Sequence, residues 1–128
     1  MEHVHSLNDF VEKTKEAYSL GGTPMDRTDL SNMGTQLLRE LKDVHKALDV
    51  VGNYNSFEPE EVYEILADEW YRISTVAVGF EGSPVVYVWM KDDAPQAYYH
   101  SVYVRLAGAS PDEIDYVMGR SLIRAWWD

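Results

Sequence analysis

The sequence predicts an α+β domain: three N-terminal helices, a three-stranded antiparallel β-meander, and a C-terminal helix packed on the sheet. Three observations carry this expectation. Residues 74–106 hold the densest runs of β-branched and aromatic side chains, which suit a pleated, half-buried surface. Ahead of that stretch, apolar residues recur at the period of an amphipathic helix. Behind it, Ser110-Pro111-Asp112-Glu113 joins an N-cap serine, a proline at the first helical position and a glutamate two residues on, the pattern of a capping box.

In chain order, Ser6 can cap a first helix, with Asp9 in the turn where the helix dipole favours negative charge. Its stripe is Leu7, Phe10, Val11, Thr14, Ala17 and Tyr18, and Gly21-Gly22 ends it. Thr23-Pro24-Met25-Asp26 offers a second start, and Thr28 or Asp29 another. The main helix follows, with Leu30, Met33, Leu37, Leu41, Val44, Leu48 and Val51 on one face and Gly52 in the place of a C-terminal cap. That spacing fits a core-facing helix, and it also fits a short homodimer seam.

Asn53-Tyr54-Asn55-Ser56 reads as a loop, and Pro59 opens a third helix that runs to about Arg72. Val62, Ile65, Leu66, Glu69, Trp70 and Ile73 share one face of it, while Glu61, Glu64 and Asp68 share another. Thr75–Phe80 and Val85–Met90 should pair as a hairpin across Glu81-Gly82-Ser83-Pro84. After Asp92-Asp93-Ala94-Pro95 a third strand is expected, with Tyr98, His100, Val102, Val104 and Leu106 on its apolar face and Tyr99, Ser101, Tyr103 and Arg105 opposite. The final helix should bury Ile114, Val117, Met118, Ser121, Leu122, Ala125 and Trp126. Residues 1–128 show no repeat, linker or low-complexity segment and are read as a single domain.

Composition narrows the function classes. At 45% hydrophobic residues the chain can build a core, and it has no apolar run near the roughly 20 residues of a membrane span. The start, MEHVHSLNDF, lacks a signal-peptide pattern, so a cytoplasmic location, in a host or producing cell, is expected. With no cysteine there is no disulfide, thiolate metal site or cysteine nucleophile. The net charge is −11, and residues 57–128 hold thirteen acids against five bases, a net of −8. Such a charge opposes direct nucleic-acid binding and favours a basic partner, although solubility or a salt-rich cytoplasm would also account for it.

No motif assigns the chain to a family. Signatures of a nucleophile elbow, a P-loop, a dinucleotide fold or a zinc protease are absent, and no cofactor is expected. His3 and His5 form an HxH pair, but two ligands near a chain end do not make a metal site, so none is expected. His45 lies beside the stripe of the long helix, and His100 is expected to be a satisfied core or boundary histidine. For a small enzyme, His100 is the expected functional residue, with Ser101, Asp92 or Asp93 as candidate neighbours. Tyr87, Trp89, Tyr98, Tyr99 and Tyr103 could stack bases, but the surrounding negative charge points to core packing or a protein contact instead.

Two features favour interaction. Trp126 and Trp127 would point about 100° apart on a helix, so one, taken as Trp127, is expected at a partner surface. Glu58, Glu60, Glu61, Glu64 and Asp68, joined by Asp92 and Asp93, form the expected acidic partner surface. Carboxylates one helical turn apart are about 5–6 Å apart, near the spacing of backbone phosphates. By analogy of size and composition, these features lead to an expectation of a small acidic inhibitor or regulator that mimics nucleic acid to a basic protein, as immunity and viral anti-defence proteins do. The alternatives are an oligomeric accessory subunit, including a homodimer through the long helix, and a small enzyme around His100.

Overall fold

The computed structural model describes residues 38–80, 83–91, 96–116 and 122–128. The expected first helix, the start at Thr23-Pro24, the stripe residues Leu30, Met33 and Leu37, and His3, His5, Asp92 and Asp93 lie outside the described residues. Over the described residues the fold is α+β, with three helices and a four-stranded antiparallel sheet of order β1-β2-β4-β3.

Leu38 pairs with Val76 as an isolated antiparallel bridge, donating to its carbonyl at 2.8 Å and accepting from its N–H at 2.9 Å. The helical ladder therefore does not run through Leu38, and α1 spans Leu41–Val51, shorter than the stripe suggested. Gly52 closes α1 at φ 73°, where a Cβ would be strained, and its N–H reaches the Leu48 carbonyl at 3.0 Å. Val44 and Leu48, two members of the would-be dimer seam, are fully buried in the chain's own core. That part of the stripe is core-facing and is not open to a second copy.

α2 spans Pro59–Asp68, with proline in its first turn and Glu60 and Glu61 beside the positive end of the helix dipole. A short 3₁₀ turn, Trp70–Arg72, then leads into β1, Ile73–Phe80. β2, Pro84–Met90, pairs with β1 in the expected hairpin, with Val76 opposite Val88 and Val78 opposite Val86.

The neighbour on the other side of β2 is not the segment expected there. Residues 96–107 form α3, Gln96–Ala107, and not a third meander strand. Val102 and Leu106 are fully buried and Tyr99 and Tyr103 pack beside them, whereas Val104 is 51% exposed. Those positions follow the helical three-four spacing, and the alternation of Val102, Val104 and Leu106 was coincidental.

The end of the chain is a second hairpin and not a helix: β3, Glu113–Tyr116, and β4, Leu122–Trp126. Val117, Met118 and Ser121 of the expected final stripe lie outside the described residues. Ser110 is the tail of α3 rather than the cap of a new helix. Its N–H reaches back to the Ala107 carbonyl at 3.2 Å, and its φ of 63° lies in the left-handed region. β4 lies between β2 and β3, with Val88 opposite Ile123 and Ile114 opposite Ala125. A strand held on both edges suits Leu122-Ile123-Arg124-Ala125-Trp126-Trp127, a run apolar on both of its faces.

Alternation along β2 and β4 sorts their side chains onto two faces. Val86, Val88, Met90, Ile123, Ala125 and Trp127 join the core formed with the helices, where Val44, Leu48, Val62, Leu66, Val102 and Leu106 meet them. Val85, Tyr87, Trp89 and Leu122 form a separate buried cluster, with Trp126 packed against it.

Candidate functional site

The outer surface of α2 is where the acidic residues gather. Its inward positions, Val62, Ile65 and Leu66, are buried against α1 and the sheet, so the helical period turns Glu60, Glu61, Glu64 and Asp68 outward. Glu58 precedes the helix and is also exposed. These carboxylates are not equivalent. Glu60 Oε1 lies 2.7 Å from Nε2 of His45, and Asp68 Oδ2 accepts from Arg105 Nη2 at 2.8 Å. Glu58, Glu61 and Glu64 make no ion pair among the described residues.

Three arginines of this half of the chain are engaged in the same way. Arg72 donates to the buried Glu69 at 2.8 Å, with the Arg105 guanidinium 3.6 Å from the other Glu69 oxygen. Ser101 Oγ approaches the same carboxylate at 3.4 Å, so Glu69 ties α2, the 3₁₀ turn and α3 together. Arg124 is paired with Glu113 at 3.1 Å. A carboxylate on an apolar face was legible at Glu69, but its partners come from segments distant in sequence. Glu58, Glu61 and Glu64 remain on the surface without an ion-pair partner among the described residues, as do the cations Arg39, Lys46 and Lys91.

The second grouping lies at the junction of α1 and α2. His45 and Asp49 are one turn apart on α1, and Glu60 faces them from the first turn of α2. The three ligand-type atoms lie within 4.8 Å of one another. The His45 ring stacks on Tyr63, with centroids 4.0 Å apart and planes 24° apart, which aims its Nε2 edge at the carboxylates. The hydrogen bond to Glu60 raises the His45 pKa above its ordinary value; the slight burial opposes this and the Asp49 charge adds to it. The sequence singled out neither this cluster nor its ring contact; the four-residue spacing of His45 and Asp49 was its one visible sign.

The remaining expected site residues fall elsewhere. Trp127 is not a surface anchor: it is fully buried, meets Phe57 edge-on at 4.9 Å between centroids, and donates from Nε1 to the Ala109 carbonyl at 2.9 Å. On a strand, adjacent residues point to opposite faces, so both tryptophans find cover. His100 is exposed on α3 and not on an apolar strand face. Tyr87 and Trp89 are buried, so the sheet offers no open base-stacking platform at these positions. Among the described residues no helix is long and apolar enough to cross a membrane. Comparison of the chain with protein-family models, with curated proteins and with solved structures found no match.

Proposed function

We propose that this chain is a binding domain that presents the acidic outer face of α2 to a basic protein, in the manner of a small inhibitor or regulator of a nucleic-acid-binding partner. One observation carries the reading. Glu58, just ahead of α2, and Glu61 and Glu64 on it stand exposed without ion-pair partners among the described residues, while Arg72, Arg105 and Arg124 are already engaged by other carboxylates. Unpaired, solvated carboxylates on a rigid helix cost the fold little and leave their full field for a partner. Their spacing of about one helical turn suits a surface of lysines and arginines built to hold phosphates.

The test is affinity capture from the source cells with two baits, the natural chain and Glu58→Gln/Glu61→Gln/Glu64→Gln. The reading expects a basic protein on the first bait that is lost or strongly depleted on the second. No basic protein on the natural bait, or equal amounts on both, overturns it.

A further inference from the structure

We infer that His45, Asp49 and Glu60 form a binding site for one divalent transition-metal ion of the zinc class. The donor set is one imidazole nitrogen and two carboxylates, drawn from two helices whose contact is buried. Zinc bonds such nitrogens and oxygens at about 2.0–2.2 Å, so tetrahedral ligand atoms sit about 3.4 Å apart. The separations here straddle that value: Nε2 of His45 is 2.7 Å from Glu60 and 4.0 Å from Asp49. Drawing the atoms around one ion needs only small torsions of exposed side chains and no movement of backbone.

The site is more than an acidic patch because its nitrogen ligand is held. Val44, Ala47 and Leu48 of α1 are buried with Val62, Ile65 and Leu66 of α2 in the same core, which fixes the two helices relative to each other. Tyr63, three residues beyond Glu60, supports the flat of the His45 ring and limits its rotation. The ligand atoms are then brought together before any ion arrives, which lowers the ordering cost of binding. An imidazole ligand disfavours calcium and magnesium, which take oxygen donors. Three protein ligands leave a fourth position of a tetrahedral zinc ion for water or for a group on another molecule.

The measurement is a calorimetric titration of the full, metal-stripped chain with zinc chloride, beside Asp49→Asn, Glu60→Gln and His45→Phe. Phenylalanine keeps the stack on Tyr63 and removes the ligand. A saturable site is expected, weakened about tenfold or more by each substitution. It should survive His3→Ala/His5→Ala, which removes the competing histidine pair, and a zinc-induced shift of the His45 ring nitrogens should report the ligand directly. Circular dichroism in chelator checks that each variant folds. No saturable binding up to about 1 mM zinc, affinity in the three site variants equal to that of the natural chain, or equally tight binding of magnesium would overturn the assignment. Glu58→Gln/Glu61→Gln/Glu64→Gln leaves all three ligands in place, so this inference and the docking surface fail separately.

Discussion

At Trp126 and Trp127 a difference of one position decides between core and rim. Trp127 is fully enclosed and its indole N–H is satisfied by Ala109, while Trp126 is half-buried against the opposite cluster. Trp127→Ala should cost about 3–5 kcal/mol, combining lost burial with a large cavity, and Trp126→Ala about 1–2 kcal/mol. Denaturant titration of the two variants decides this, and equal losses would contradict it. His45 supplies a pH signature. Because Glu60 raises its folded pKa above about 6.5, the clasp between α1 and α2 is fully present below that value and is lost as pH rises through the folded pKa. In chelator, Glu60→Gln should therefore lower the melting temperature more at about pH 6 than at about pH 8. A deficit independent of pH would mean that the hydrogen bond does not persist in solution.

Among the elements, those that depend on local chemistry were legible and those that depend on long-range competition were not. The β1–β2 hairpin, the proline start of α2 and the glycine end of α1 each follow from a turn residue or a terminus acting within a few positions. The segment from Gln96 to Ala107 is ambiguous, since its tyrosines and valines suit a strand while Tyr99, Val102, Tyr103 and Leu106 also satisfy a helix. β4 resolves the ambiguity by occupying the edge of β2, a pairing made across more than thirty residues of sequence. The capping-box pattern at Ser110 was overridden for the same reason, as a two-faced apolar run stabilises the sheet centre more than a one-sided helix could. Ser110→Ala should then change stability by less than about 0.5 kcal/mol, because no cap is lost. Ser110→Gly should add about 0.5–1 kcal/mol by relieving the positive φ. A loss of about 1 kcal/mol or more in the alanine variant would instead indicate a helix cap. The acidic face of α2 was legible because its period is local, whereas the pairing of Glu60 and Asp68 required the positions of α1 and α3.

For the whole molecule, the net charge of −11 is a field, and only part of it lies where the fold leaves it unneutralised. Glu61 sits in the first turn of α2, where the dipole favours it, while Glu64 is close enough to repel it. Neutralising Glu58, Glu61 and Glu64 therefore alters stability by less than about 1 kcal/mol, the small terms partly cancelling. Binding should respond far more, because steering sums over all charges facing the approach path. Salt acts on the same quantity, shortening the Debye length from about 10 Å at 0.1 M to about 3 Å at 1 M. The on-rate of the captured basic partner, measured at low and high salt against the natural chain and the triple glutamine variant, tests the docking surface most directly. The natural chain should associate at least about tenfold faster at low salt, and the variant should be slower there with a flatter salt dependence. An on-rate indifferent to both salt and the three substitutions would contradict the electrostatic docking surface.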